Sequence, residues 1–282
     1  MVHGLLHNAC SFRALVTLLP PHFYYVCIDL PGHGWSSPFP PGVPLDFFQY
    51  VFSIKRFIDA IGWSKFVLIG HSFGCMTGTM FTALYPEMVD KYIAIDGFVP
   101  FIITNAECPQ LIRKSFDRLL ELERNLEVSG RRSLTQKQAL DKIMSGPNGE
   151  ITSEEVALAL LRRSAREEPG GTFTFTDDPR LRFKVGSLLS RAQLIAFMRP
   201  LASVPTMLLL AATTFVLIND SSKKLASKSP ISRTRESLLE VVKLFGSGRL
   251  VQVAGNHFVH INDPQSVADH INQFLLEPRS SL

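Results

Sequence analysis

Apolar positions along the chain alternate between short continuous runs and helically spaced sets. The runs Phe23–Ile28, Lys65–Ile69 and Tyr92–Ile95 are rich in β-branched, aliphatic and aromatic residues, which predicts buried strands. Apolar residues also recur at alternating spacings of four and three over Phe47–Ile61, which predicts an amphipathic helix covering one face of a sheet. A helix of small residues is predicted over Gly74–Leu84. This succession of strands and helices is typical of a parallel α/β sheet.

The pattern changes between residues 101 and 200, where helical spacing replaces the strand-like runs. Helices are predicted there over Leu111–Leu126, Gln136–Met144 and Ser153–Arg163. Sheet-like sequence then resumes, with strands at Pro205–Ala212 and Arg249–Val253, a charged linker and helix reaching Phe245 between them, and a last helix over Asp263–Leu276. We therefore expect one domain in three parts: a first core segment at 1–100, an inserted helical lid at 101–200, and a second core segment at 201–282.

Composition narrows the classes of protein that fit. A chain of 282 residues with 46% hydrophobic and 19% charged residues can bury a full core, so one large globular domain is expected. The net charge of +4 is small and the Lys and Arg residues form no stripe, which argues against a nucleic-acid partner. The longest apolar run, Met207–Ala212, is too short to cross a bilayer, so no integral membrane segment is expected.

Cysteine usage and the chain's last residues bear on location. The four cysteines lack the short paired spacings of metal ligands, which favours reduced thiols in an intracellular compartment. Residues Ser280–Leu282 are similar to a peroxisomal address but lack its basic middle residue. We expect a soluble, cytoplasmic protein, with a perinuclear or peroxisomal location as alternatives. No helix carries histidines four residues apart, so neither a metal nor another cofactor is expected.

The segment Gly70–Gly74 carries the strongest chemical signal. It reads Gly-His-Ser-Phe-Gly and lies where the predicted strand ending at Ile69 passes directly into a helix, which is the setting of a nucleophile elbow. A sharp turn there would project the Ser72 hydroxyl above the sheet, and glycine is needed on both sides because other side chains would collide with the neighbouring backbone. Ser72 is the predicted nucleophile.

A nucleophilic serine needs a base, and His257 is the candidate. It follows the predicted strand at Arg249–Val253, and groups that face a ligand are placed at such carboxyl ends of parallel strands. The chain order of serine early and histidine late also fits the elbow motif. His260 lies three residues on and is predicted to be a structural hydrogen-bonding residue.

Over nearly its whole length the chain resembles the serine hydrolase-like proteins of the α/β-hydrolase superfamily. The matching motifs are His3-Gly4 with Asn8 and Ser11-Phe12, Asp29 with Gly32–Gly34 and Ser36, the elbow, Tyr85–Val89, and Gly255–His257 with His260. The resemblance implies an α/β-hydrolase fold, mostly a parallel doubly wound sheet with an inserted helical lid. It also implies hydrolysis of a small-molecule ester or amide through an acyl-enzyme. An oxyanion hole made by the backbone N–H groups of Phe73 and Leu5 is implied as well.

Two departures from the family pattern leave questions open. The resemblance places the third member of the triad after a later strand, where this chain has Thr214. Asp220, slightly later, is our preferred acid, and Asp96, at the end of the strand after the elbow strand, is the alternative. Relatives also carry two further strands and most of a third before the position of His3. If those strands are missing, the chain is an N-terminally truncated form with an incomplete sheet, and a catalytically impaired hydrolase-like scaffold is the alternative function.

Overall fold

A computed structural model of the chain describes residues 1–97, 108–146, 149–182, 189–214 and 248–278. Three features of the sequence analysis lie outside these ranges: Asp220, the charged linker and helix reaching Phe245, and residues 280–282. The described strands are β1 Phe66–His71, β2 Val89–Ile95, β3 Ser133–Thr135, β4 Ser145–Gly146, β5 Gly149–Glu150, β6 Ala165–Glu168, β7 Thr172–Phe175, β8 Thr206–Ala211 and β9 Gly248–Val253. The described α-helices are α1 Arg13–Val16, α2 Phe47–Ile61, α3 Phe73–Leu84, α4 Cys108–Ser129, α5 Gln136–Met144, α6 Glu154–Ser164, α7 Arg191–Met198, α8 Val259–Asn262 and α9 Pro264–Leu276.

The central sheet is parallel, with β1, β2, β8 and β9 adjacent to one another in that order. Its side chains alternate between two apolar layers, as the pleat of a strand requires. Leu68 and Leu208 pack in the layer that contains α2 and α3, whereas Ile69 and Leu209 pack in the layer that contains α1 and α9. Because helices cover both faces, β1, β2 and β8 are buried over almost their whole length, which explains their largely apolar sequence, whereas β9, paired only with β8 among the described strands, alternates with exposed positions.

Helix α2 shows how closely local sequence sets the element bounds. Asp46 caps its N-terminus by accepting from the Phe48 N–H at 2.8 Å, and Gln49 accepts from the Asp46 N–H at 3.0 Å. Gly62 ends the helix in the left-handed region at φ 72°. The predicted helix over Phe47–Ile61 is therefore confirmed to the residue.

Between β2 and β8 the described residues are largely helical. The three helices expected there are confirmed as α4, α5 and α6, with α5 matching its predicted bounds. The sequence pattern did not predict two small antiparallel sheets among them, formed by β3, β7 and β6 and by β4 and β5. No described helix is both long and apolar enough to cross a membrane.

The prediction of a strand at Phe23–Ile28 is wrong. Within this segment only Ile28 makes a ladder contact, which is an isolated parallel bridge to Val2. Val2 also bridges to Gly70 on β1, so it lies between the two segments. The Val2 N–H donates to the Ile69 carbonyl at 2.8 Å, and the Ile28 N–H donates to the Met1 carbonyl at 3.2 Å. Met1 and Val2 thus lie between β1 and residues 23–28 and pair with both.

The pairing of Val2 with both segments leads to a stability prediction. Fusing five apolar β-branched residues ahead of Met1 should extend the Val2 pairing along both neighbours and raise the free energy of unfolding by about 2–5 kcal/mol, at roughly 1 kcal/mol for each hydrogen bond gained plus the apolar area buried. Urea denaturation of the extended and the unextended chain measures the difference. The matched control carries proline at alternate added positions, which removes the donors. Equal stability of all three chains would contradict the prediction.

Candidate active site

The turn between β1 and α3 holds Ser72 in a strained backbone conformation, with φ 52° and ψ −111°. Both flanking glycines are required sterically. A Cβ on Gly70 would lie 2.5 Å from the Gly74 carbonyl oxygen, and a Cβ on Gly74 would lie 2.0 Å from the Val2 carbonyl oxygen. The elbow geometry predicted from the motif is therefore present, with the serine at the carboxyl end of a buried strand.

His257 lies in the loop after β9, and its ring joins two other side chains. Its Nε2 is 2.8 Å from the Ser72 Oγ, and its Nδ1 is 2.5 Å from the Asp96 Oδ2. An ionised carboxylate only accepts, so Nδ1 carries the ring proton and Nε2 offers a lone pair to the serine hydroxyl. The Asp96 side chain is fully buried, and that of His257 is 13% exposed. The structure thus brings three predicted residues into one hydrogen-bonded chain.

Asp96 follows β2 in the left-handed region, at φ 49°. Its carboxylate receives two further donors from the end of β8, the Ala211 N–H on Oδ1 and the Thr214 Oγ1 hydroxyl on Oδ2, each at 2.8 Å. The geometry therefore favours the alternative acid over Asp220, our preference from sequence, which lies outside the described residues. Thr214 stands where the resemblance placed the acid, and its hydroxyl donates to the Asp96 carboxylate.

The two backbone groups expected to form an oxyanion hole lie close to Ser72. Phe73 begins α3, so its N–H is one of the unpaired donors at a helix N-terminus. Leu5 follows Gly4, whose Cβ, if present, would lie 3.1 Å from the Ser72 Cβ. In the described part of the chain, neither N–H has a hydrogen-bond acceptor. This arrangement leaves both donors available to a ligand, and their role stays a prediction.

Two residues from the sequence motifs attach α6 to the core beside this site. The Asn8 side-chain amide donates to the Leu160 carbonyl at 3.0 Å and to the Ser164 hydroxyl at 2.8 Å. Asp29 accepts from the Arg163 guanidinium at 2.7 Å, and its side chain is only 3% exposed. These motif residues therefore serve to dock the helical segment on the loops that carry the site.

His260 differs from expectation. It was predicted to be a structural hydrogen-bonding residue, but neither of its buried ring nitrogens has a partner among the described residues. It packs instead, with its ring centroid 3.9 Å from that of His71. Burial lowers the pKa of His260 well below its usual value, so the ring is neutral.

Metal-binding geometry was also sought among the described residues. They contain no group of three His, Cys, Asp or Glu side chains placed to hold an ion. The expectation that the protein needs no metal or other cofactor stays a prediction.

Comparison with known proteins gives the family. A sequence profile described as the alpha/beta hydrolase fold matches residues 1–255. The chain belongs to the α/β-hydrolase family. It is 35% identical over 279 residues to serine hydrolase-like protein 2 of Homo sapiens, covering 97% of this chain and 85% of that one.

Solved structures of this family superpose well on the chain. A hypothetical protein from Pseudomonas aeruginosa PAO1 superposes with a TM-score of 0.79 at 26% identity, over 98% of this chain and 90% of that one. The thioesterase domain from the curacin biosynthetic pathway gives a TM-score of 0.71 at 22% identity, over 96% and 88% of the two chains. The second similarity bears on the fold alone. Together with the profile match, these similarities confirm the predicted fold class.

Proposed function

We propose that the protein is a serine hydrolase that cleaves a small-molecule carboxylic ester through an acyl-enzyme. The observation that carries the proposal is the continuous chain of hydrogen bonds from the Ser72 hydroxyl through the His257 ring to the buried Asp96 carboxylate. In this assignment Ser72 is the nucleophile, His257 the general base, and Asp96 the acid that orients the imidazole and stabilises its charged form. Amide cleavage by the same groups is the second substrate class.

The reaction proceeds in two halves. Ser72 Oγ attacks the ester carbonyl carbon while its proton passes to His257 Nε2, and the resulting oxyanion accepts from the Leu5 and Phe73 N–H groups. His257 then returns the proton to the departing alkoxide, which leaves as the alcohol and an acyl-Ser72 ester remains. In the second half a water molecule gives its proton to His257 and attacks the acyl carbon. Collapse of that intermediate returns the proton to Ser72 and releases the carboxylic acid.

The aromatic side chains around the elbow are evidence that the acyl group of the proposed substrate is apolar. Phe73 packs edge-on against Phe47 and Tyr50, at centroid distances of 5.9 and 5.1 Å. Phe48 of α2 approaches Phe197 of α7 at 6.1 Å, so rings of the core and of the helical segment meet on this side of the site. Phe47 and Tyr50 are buried in the core, whereas Phe48, Phe73 and Phe197 are partly exposed, and we infer that an apolar acyl group would gain free energy by covering these three rings.

The alternative function is a catalytically impaired hydrolase-like scaffold. It draws support from the sparse pairing of residues 23–28, where only Ile28 makes a bridge, because that bridge is to Val2, two residues before Gly4, which lies beside Ser72. A displacement of an oxyanion donor by about 1 Å would cost much of the catalysis. Against this, Val2 pairs with both Ile28 and Gly70, and the Val2 carbonyl accepts from the His71 N–H at 3.0 Å, one residue before Ser72.

Turnover of p-nitrophenyl acetate and p-nitrophenyl hexanoate tests the proposal. We expect a burst of p-nitrophenol stoichiometric with protein, followed by a slower steady state, and an acyl adduct in the intact mass during the burst. The longer apolar ester should have the higher kcat/KM. An absence of burst, adduct and turnover with both esters in folded protein would contradict the proposed function and favour the scaffold.

Thr214 offers a finer test of the proposed acid. Thr214→Val removes the hydroxyl that donates to Asp96 while nearly preserving side-chain volume, and it should lower kcat by about 10-fold, the equivalent of one hydrogen bond of roughly 1.4 kcal/mol to a charged group. Thr214→Ser keeps the hydroxyl and is the matched control, expected to stay within about 3-fold of the unaltered protein. A valine variant as active as the serine variant would show that this hydroxyl does not support the acid.

We also propose a cytoplasmic location. Cys10, Cys27 and Cys75 are free, as thiols are in a reducing compartment. The perinuclear and peroxisomal alternatives stay predictions.

A further inference from the structure

His71 lies between Gly70 and Ser72 in the elbow, and the proposed reaction does not use its side chain. The ring is 1% exposed, and its Nε2 is 2.9 Å from the backbone carbonyl oxygen of His257. Its centroid lies 4.8 Å from the His257 ring and 3.9 Å from the His260 ring. A buried polar ring thus connects the nucleophile turn to the loop that carries the base.

The protonation state of this ring follows from its surroundings. Burial, and secondarily the neighbouring rings of His260 and His257, lower the pKa of His71 well below its usual value, so the ring is neutral and has one N–H. A carbonyl oxygen only accepts, which places that proton on Nε2. Nδ1 has no partner among the described residues and faces Gly4, where a Cβ would lie 2.9 Å away. His71 is therefore a fixed donor that has no proton to exchange with substrate.

The contacts close a ring of interactions around the nucleophile and the base. Ser72 bonds the His257 side chain at 2.8 Å, while His71, the preceding residue, bonds the His257 backbone at 2.9 Å. Two consecutive elbow residues thus hold the two ends of one histidine. Rotation of the His257 ring away from Ser72, or a shift of its loop, stretches at least one of the two bonds.

We propose that His71 is a positioning residue that fixes His257 at bonding distance from Ser72. This role rests on the proposed function, in which His257 is the base. It gives His257 a second contact with the elbow, the hydrogen bond from His71 to the His257 carbonyl. His260 supports the donor by packing against its ring. The elbow at Gly70–Gly74 then sets the position of the base relative to the nucleophile. Small movements of the loop after β9 are therefore restrained at His257 itself.

His71→Leu removes the donor while keeping apolar volume, and His71→Gln keeps an N–H at nearly the reach of Nε2. We expect the leucine variant to lower kcat by about 10- to 100-fold with KM within about 2-fold, because positioning acts on the reacting geometry and not on substrate binding. The glutamine variant should recover kcat to within about 3-fold of the unaltered protein. His22→Leu, at an exposed histidine outside the site, is the matched control and should change neither constant.

A second readout does not depend on turnover. In the unaltered protein the His257 Nδ1 proton should be protected from exchange with water, and in His71→Leu its exchange should accelerate at least 10-fold. This separates failure of the inference from failure of the proposed function: inactive protein with the predicted exchange pattern would refute the enzyme and retain the positioning role. If the leucine variant does not fold, His71→Asn replaces it, because its shorter amide cannot reach the His257 carbonyl.

Two results would overturn the inference. One is a leucine variant with unaltered kcat and unaltered proton exchange. The other is a glutamine variant as impaired as the folded leucine or asparagine variant, which would mean that ring packing, and not the donated hydrogen bond, is what matters.

Discussion

Asp96→Asn is expected to lower kcat for ester hydrolysis by about 10⁴-fold, the effect of forcing the wrong tautomer on a catalytic histidine. The Ala211 N–H donates to one carboxylate oxygen, and the Thr214 hydroxyl and His257 Nδ1 donate to the other. An asparagine offers only one oxygen in their place. If that oxygen stays with Ala211, the amide NH₂ of the asparagine faces His257 Nδ1, so Nδ1 must accept. The ring proton then lies on Nε2, and a protonated Nε2 cannot accept the proton of the Ser72 hydroxyl.

Asp220→Asn is the matched comparison, since both carboxylates were candidates from sequence. We expect it to leave kcat and KM unchanged. Steady-state kinetics of the two variants, with circular dichroism to establish that each is folded, give the result. The reverse pattern, an impaired Asp220→Asn beside an active Asp96→Asn, would transfer the acid role to Asp220.

Ser72→Ala and His257→Ala should each lower kcat by about 10⁶-fold, and the double variant by no more than either alone. The two side chains share one hydrogen bond of 2.8 Å, and neither has a nucleophilic function without the other. Single-turnover hydrolysis of p-nitrophenyl hexanoate measures the three variants against the uncatalysed rate. Residual acceleration should survive in all three, because the Leu5 and Phe73 donors remain.

The comparison of the two single variants with the double variant also has a result that would contradict the account. If the losses multiply in the double variant, the two side chains act independently and the proposed proton transfer between them does not occur. A His257→Ala variant that hydrolyses the ester at an undiminished rate would remove the base from the mechanism.

Local sequence determined much of the fold and part of the site. The α2 helix was predicted from its apolar periodicity alone, and the structure shows that local capping at Asp46 and Gly62 sets the same bounds. The elbow at Gly70–Gly74 was also predictable from local sequence, since strand, turn and helix are consecutive. The contact of His257 with Ser72 could be anticipated because His257 lies in the short loop after β9, at the edge where parallel strands place their functional groups.

What the sequence did not determine depends on contacts between distant segments. Whether a candidate acid faces His257 is set by such a contact, and the contact that the structure shows, between Asp96 and His257, joins residues separated by 161 positions. The segment Phe23–Ile28 has the composition of a strand, but a strand requires a ladder partner, and among the described residues only Val2 bridges to it.

Two residues with potential roles were missed, and both had a signal. His71 is the second residue of the elbow motif, so the sequence already places it beside Ser72, and its ring contacts the backbone carbonyl of His257. Thr214 was noted only because it stands where the resemblance places a carboxylate. A hydroxyl after β8 can donate to a carboxylate at the end of the adjacent strand β2, and that was the available signal.

The central claim is that Ser72 is a nucleophile activated by His257, and covalent labelling tests it most directly. Purified protein is incubated with a fluorophosphonate probe, and the adduct is located by peptide mass spectrometry. We predict a single phosphonylated residue, Ser72, with labelling abolished in Ser72→Ala and slowed by several orders of magnitude in His257→Ala. Folded protein that is not labelled, or that is labelled equally with and without the Ser72 hydroxyl, would contradict the account.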